Sequence, residues 1–127
     1  MAVYGKQVLD LTLPAAADYT GSQYFFVELD ATGRASVCNG TADKPMGILQ
    51  NKPAAVDRPA HIRVIGHSKL VAGATIALNA DVATTSAGRG TTSQTGQSIA
   101  ARAIVASTGS AQLIEVFVQC VNMPATG

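Results

Sequence analysis

Charge is scarce in this sequence. Asp, Glu, Lys and Arg make up 13% of its 127 residues, against roughly 25% in ordinary soluble domains. The formal net charge is +1, and the basic residues occur singly from Lys6 to Arg102. A nucleic-acid-binding protein would show a basic excess or a basic stripe, so we predict no nucleic-acid partner. The centres of protein interfaces are depleted in Lys, Glu and Asp. The composition fits a protein that is simply low in charge, but we favour a surface that a protein partner covers.

Long apolar runs are also absent. No uncharged apolar stretch reaches the roughly 18 residues that a membrane span needs. The residues from Met1 to Lys6 have no apolar run after a basic start, as a secretory signal would have. We therefore predict no membrane partner. Tryptophan is missing and aromatic residues make up 5%. The core of this single domain must then consist of Val, Ile and Leu with a few aromatic residues such as Phe25, Phe26 and Phe117.

Cysteine is limited to two residues, Cys38 and Cys120. They lie far apart, fit no metal-ligand spacing, and each sits in an apolar strand-like run. We predict two buried, reduced thiols rather than a disulfide, in agreement with assembly in a cytoplasm. No metal site and no cofactor are predicted.

Short runs with strand character fill the chain between its 12 glycines and 5 prolines. Regular short strands separated by turn residues are typical of barrels and sandwiches. We predict an all-β fold, a small single-domain β-barrel or β-tulip-like structure with at most one short helix, either at Ile99–Ala106 or at Ala15–Asp18. The β domain would cover 7–121, with an N-terminal arm at 1–6 and a C-terminal tail at 122–127. The predicted strands lie in Lys6–Leu13, Tyr24–Leu29, Ala35–Cys38, Met46–Gln50, His61–His67, Lys69–Val71, Thr75–Leu78, Val82–Thr85, Ile99–Ala106 and Leu113–Val121.

Two turns resemble each other. Asp30-Ala-Thr-Gly-Arg-Ala35 recurs loosely as Thr85-Ser-Ala-Gly-Arg-Gly90. In each, a Gly before the next strand would supply the positive φ of a tight hairpin. The pattern fits either a true duplication or two unrelated hairpins with similar turn chemistry. The stretch Thr84–Ser98 has no large apolar residue and is predicted to be a long exposed loop.

No arrangement of catalytic residues stands out. His61 and His67 would lie on one side of a strand, about 20 Å apart, which is too far to share a metal ion. Ser68 follows His67 but lacks the Gly-x-Ser-x-Gly elbow of a hydrolase. Glu28 and Asp30 share a strand face, where a solvated strand edge is the usual explanation for such a pair. We predict that the protein is not an enzyme.

Several short segments follow one another along the chain in a characteristic order: Pro45–Pro53, Ala60–Gly66, Ser68–Ile76, Asp81–Val82, the Gly88–Arg89 turn, Ile99–Ala103 and Leu113–Val118. This order resembles the family of small capsid decoration (cement) proteins of tailed bacteriophages. The resemblance covers roughly residues 20 to 120 and depends on order and spacing together rather than on one motif.

The resemblance implies a protein that binds the outer surface of an expanded icosahedral head. Its partner would be the major capsid protein, whose subunit contacts it would stabilise, and it would form a homotrimer at threefold and quasi-threefold positions. The family has no catalytic residues to transfer. From the residues themselves, we predict that an apolar, aromatic-bearing arm contacts the capsid or a neighbouring subunit. The candidate contact residues are Ala2, Val3, Tyr4, Lys6 and Arg89.

Two other functions remain open from the sequence. One is a different β-rich virion protein, such as a tail-tube, tail-tip or adhesion module. The other is a small hydrolase that acts through His61 or His67. The segment Thr84–Ser98 is either a second capsid contact or an outward-facing loop.

Overall fold

Nine β-strands make up the part of the chain that the structure describes. The computed structural model describes residues 8–120, and this range contains no helix. All the strand pairings are antiparallel, so the all-β prediction is confirmed. The strands are β1 (Leu9–Pro14), β2 (Phe26–Leu29), β3 (Ala35–Val37), β4 (Gly47–Leu49), β5 (Pro59–Val71), β6 (Asp81–Thr84), β7 (Gly90–Thr92), β8 (Ala101–Ala103) and β9 (Leu113–Gln119).

The strands form one curled sheet in the order β3-β2-β4-β5-β9-β8-β6-β7, with β1 paired to β5. A parallel bridge joins Ala15, just beyond β1, to Ala35 of β3. The strands β1, β5, β4, β2 and β3 therefore form a ring of bonded neighbours, as in a small barrel. A second bridge joins Ala72, just beyond β5, to Gly90 of β7. It closes a second ring of bonded neighbours, which consists of β5, β9, β8, β6 and β7.

The long strand β5 connects the two rings. Its residues alternate regularly between buried and more exposed from Pro59 to Val71, as a strand with one face on the core should. The two runs predicted here, His61–His67 and Lys69–Val71, are one strand. Its first part pairs with β1 and β4 and its last part pairs with β9.

Two predicted strands are shorter than expected. Ile99–Ala106 contains only the three-residue β8, and Thr75–Leu78 contributes a single bridge between Ile76 and Ser107. Both helix candidates, Ile99–Ala106 and Ala15–Asp18, lie within the described range, and neither forms a helix. Ala15 is instead held between two strands by backbone hydrogen bonds, and these bonds override its local preference.

The fold consists of two halves with the same connectivity. We call residues 8–65 the first half and residues 66–120 the second half. In the first half, β2 pairs with β3 and β4, and β4 pairs with β5; in the second, β6 pairs with β7 and β8, and β8 pairs with β9. The registers also agree. Equivalent pairs are Val27–Val37 and Val82–Thr92, Leu49–Ile62 and Ala103–Val116, and Leu13–Ala60 and Leu70–Ile114.

Backbone conformations repeat as well. The described residues include four non-glycine residues with positive φ, an uncommon conformation. Tyr24 (φ 68°) and Asn79 (φ 67°) are equivalent, since their amides donate to Leu49 and Ala103, which are themselves equivalent. The other two equivalent residues are Asp57 and Ala111, with φ of 68° and 66°. The sequence left duplication and coincidence open, and this agreement favours a repeated unit of structure.

The two similar turns are hairpins of the same type. In each, the fourth residue is a glycine with positive φ, at 83° for Gly33 and 81° for Gly88. Each glycine amide donates to the first residue of its turn, Asp30 or Thr85. The prediction of positive φ is confirmed. The prediction of one long loop over Thr84–Ser98 is wrong, because this stretch contains β7 and its Gly88 and Gly90 are buried.

Two hydrophobic clusters form the core. The first lies inside the first half and comprises Ala15, Val27, Ala35, Leu49, Ala60, Ile62 and Val64. The second lies inside the second half but also contains Phe26, Cys38 and Ile48, which point away from the first cluster. The outer face of the first half is thus covered by the second half. Phe26 is fully buried as predicted, whereas Phe117 is 45% exposed, so its predicted place in the core is wrong.

Candidate functional site

A depression of about 540 Å³ lies on the outer face of the second half. It forms where β8 and β9 run past the turn that precedes β6. Among its lining residues are Leu78, Asp81, Ile99, Arg102, Ile104 and Phe117. We call it the second-half depression. A second hollow of about 550 Å³ adjoins it and shares Asp81 and Ile99.

The second-half depression is mainly apolar. Leu78, Ile104 and Phe117 are exposed by 65%, 47% and 45%. Its charged lining residues are Asp81 and Arg102, which form an exposed ion pair at 3.5 Å. Such a pair contributes little to stability. Since no group of ionisable side chains converges here, the depression suits contact with another protein surface better than catalysis.

The equivalent face of the first half is covered. Phe26, Ile48 and Arg63 stand side by side on β2, β4 and β5, in the register that Asp81, Arg102 and Phe117 occupy on β6, β8 and β9. Phe26 and Ile48 have no exposed surface, and they pack in the cluster of the second half. The two faces have the same strand register, but Phe26 and Ile48 on the first are buried, whereas Phe117 on the second is exposed.

Of the predicted contact residues, only Arg89 lies in the described range, and it does not line this depression. Ala2, Val3, Tyr4 and Lys6 lie outside the described residues, as do the whole predicted N-terminal arm and the predicted C-terminal tail. Arg89 is half-buried between the two halves. Its guanidinium carbon lies 5.6 Å from the centre of the Phe25 ring and its Nη1 donates to Ser110 Oγ at 3.3 Å. Its role as a capsid contact stays a prediction.

The histidines are exposed and separate. His61 Nδ1 lies 3.1 Å from Thr12 Oγ1, and His67 Nε2 lies 2.6 Å from Glu115 Oε1. The Ser68 hydroxyl, next to His67 in the sequence, donates to the carbonyl of Lys69 rather than to a histidine. The hydroxyl–imidazole pair that a serine nucleophile needs is therefore not formed at Ser68.

Sequence reasoning missed a cluster of Glu28, Cys38 and Asp43. Their ligand atoms lie within 4.8 Å of one another. The β2–β3 hairpin and the loop after it bring them together, and their spacing carries no signal of this. Burial, and next the charges of Glu28 and Asp43, raise the pKa of the Cys38 thiol to about 12. A thiol must lose its proton to bind a metal, so metal binding at this cluster would weaken as pH falls.

Glu28 gives a test of this cluster. Burial, and next the charge of Asp43, raise the pKa of the Glu28 carboxyl. The folded state thus favours the neutral form, and the stability this contributes is present at acid pH and lost as pH rises through the raised pKa. We expect Glu28→Gln to raise the melting temperature by a few degrees at neutral pH. The difference should shrink at acid pH, as thermal unfolding over a pH series will measure.

Asp18 provides a matched control for Glu28, because its pKa is shifted in the opposite direction. Hydrogen bonds from the Thr20 hydroxyl and amide lower the pKa of the Asp18 carboxyl. The stability from these bonds is present above the ordinary pKa of Asp and lost as pH falls. Asp18→Asn should therefore destabilise the protein at neutral pH and have less effect in acid. If the stability of the two variants changed with pH in the same way, the raised pKa of the Glu28 carboxyl would be contradicted.

The cysteines are free thiols. Cys38 is buried and Cys120 is half-buried. Burial also raises the pKa of the Cys120 thiol to about 12, so both thiols should react slowly at neutral pH.

In the described range, no helix is long and apolar enough to cross a membrane.

Comparison with known proteins identifies the fold but not a family. No family model matches the chain, and no curated protein matches it. Solved structures do match, and among them is the N-terminal base of the head fibre gp8.5 in bacteriophage phi29. The TM-score is 0.64, and the alignment covers 93% of this chain and 99% of the other. The sequence identity is 10%, so the likeness is one of fold.

Proposed function

We propose that this protein is a phage head decoration (cement) protein. It would bind the outer surface of the expanded icosahedral capsid and stabilise the contacts between subunits of the major capsid protein. The observation that carries the proposal is the fold shared, nearly end to end, with the base of a phage head fibre. The resemblance of the sequence segments to decoration proteins points the same way.

The surface supports a role in adhesion. The chain has 13% charged residues and a net charge of +1. Four ion pairs lie among the described residues, and with charges of the two signs nearly balanced the protein has little net field to attract a distant partner. Binding should then depend on shape and apolar contact and should change little with added salt. A trimer at threefold and quasi-threefold positions would multiply weak contacts over the lattice.

Reconstitution tests the proposal. Purified protein added to undecorated, expanded capsids should bind stoichiometrically and raise the temperature at which the capsids disrupt. Deleting Met1–Gly5, or replacing Arg89 with Ala, should lower occupancy on capsids if these residues make the contact. Circular dichroism should show that the deleted chain still folds. Failure to bind any expanded head of the source phage would refute the proposal.

The alternatives have separate outcomes. A tail-tube, tail-tip or adhesion module would be located on the tail rather than the head by electron microscopy of intact particles. For the hydrolase, the double substitution His61→Ala with His67→Ala is the test. Attachment to capsids should be unchanged, and a measurable turnover that this variant loses would favour an enzyme.

A further inference from the structure

One hairpin turn makes a close contact between the two halves. The turn Thr85–Arg89 of the second half inserts against β2 and β3 of the first half. The Phe26 amide donates to the Gly88 carbonyl at 2.7 Å. A Cβ added to Gly88 would meet Val37 Cγ1 at 2.5 Å and the Cys38 carbonyl at 3.3 Å, so the backbone itself fills the space. The outer face of the first half is thus the socket for this turn.

Both parts of this contact exist a second time, without a partner among the described residues. The equivalent turn is Asp30–Arg34, which has the same internal hydrogen bonds. Nothing lies within 4 Å of a Cβ added to its Gly33. The equivalent socket is the outer face of the second half, where Asp81 and Ser93 take the places of Phe26 and Cys38. Within the described part of the chain, the turn at one end of the molecule and the socket at the other are thus both uncovered.

We propose that the second-half depression and its rim receive the Asp30–Arg34 turn of a second copy of this chain. The contact joins two different surfaces, so it is heterologous and gives either a closed ring or an open chain of copies. Arg34 on the turn is already paired with Asp57, and Asp81 in the socket is paired with Arg102, so shape and apolar contact rather than charge would hold the copies together. Because the socket offers Asp81 and Arg102 where the first half has Phe26 and Ile48, the contact between copies is weaker than the one within the chain. The inference comes from the repeated halves and does not depend on capsid binding.

A pair of cysteine variants tests the geometry. One variant carries Thr32→Cys, on the turn next to Gly33, and the other carries Ser93→Cys, at the socket. The native Cys38 and Cys120 should stay unreacted because burial raises the pKa of each thiol to about 12. Mixing the two variants under mild oxidation should give a disulfide-linked heterodimer, and neither variant alone should crosslink. Absence of the heterodimer, or a homodimer of Ser93→Cys, would overturn the head-to-tail contact.

Association in solution provides a second readout. Sedimentation of the full chain should show oligomers that increase with concentration. Phe117→Asp, in the depression, should reduce the association constant at least tenfold. Leu9→Asp is the control, since Leu9 is 53% exposed on the first half and does not line the depression. A chain that is monomeric at all concentrations would overturn the proposal. So would a chain ending at Cys120 that associates more strongly, because residues 121–127 would then occupy the depression.

Discussion

Replacing Phe26 with Ala should lower the free energy of unfolding by about 4 kcal/mol. Phe26 is fully buried between the halves, where it packs with Ile48 against the cluster of the second half. Removal of its ring takes away the apolar contact and leaves a cavity that the strands on both sides cannot close. Urea denaturation with a two-state fit measures the loss. A single unfolding transition would show that the two halves still unfold together.

Phe117→Ala is the matched control. Its side chain stands on β9 at the position that Arg63 occupies on β5, and it is 45% exposed. At low concentration, where copies are separate, this substitution should change the free energy of unfolding by less than about 1 kcal/mol. Equal losses for Phe26→Ala and Phe117→Ala would show that the outer face of the first half is not covered by the second half.

Gly47→Ala should cost about 3 kcal/mol or more. A Cβ at Gly47 would meet the Arg63 carbonyl oxygen at 2.3 Å, the Arg63 carbonyl carbon at 2.9 Å and Ile62 Cγ2 at 2.6 Å. Two of these atoms belong to the backbone of β5, which is held by strands on both of its edges. They cannot move aside as the end of a flexible side chain could. Chemical denaturation gives the free-energy difference.

Two other glycines serve as controls for this substitution. A Cβ at Gly21 or Gly109 would meet nothing within 4 Å, and neither residue has positive φ. Alanine at either position should change stability by no more than about 0.5 kcal/mol. The second half already has an alanine, Ala101, at the position equivalent to Gly47. If Gly47→Ala were neutral, the two halves would pack their β4 and β8 strands alike, and the steric argument would be wrong.

Much of the fold could be predicted from local patterns. Alternation of apolar and polar residues located β2, β5 and β9, because the period of a strand is two whatever packs on it. Gly33 and Gly88 marked the hairpins, since a side chain is strained at positive φ. The loop over Thr84–Ser98 was predicted wrongly because β7 has only small residues. Gly90 lies under the Leu70 side chain, where there is no room for a larger one.

The candidate site could not be predicted in the same way. Glu28, Cys38 and Asp43 meet only because β2 and β3 form a hairpin and the following loop folds back. Arg89 was predicted as a contact residue, and only the tertiary structure shows that its guanidinium lies over the Phe25 ring. The second-half depression is formed by segments far apart in sequence, and none of them has a motif. Each of these features depends on which segments become neighbours in space.

The sequence by itself determined the all-β class, most strand positions and both hairpin turns, because these follow from side-chain alternation and backbone sterics within a few residues. Only the tertiary structure decided which outer face is covered. Phe26 and Phe117 both occur in alternating apolar strands, yet one is fully buried and the other 45% exposed. Burial depends on what packs across the sheet. Here the Thr85–Arg89 turn fills the socket of the first half, and no described segment fills the socket of the second.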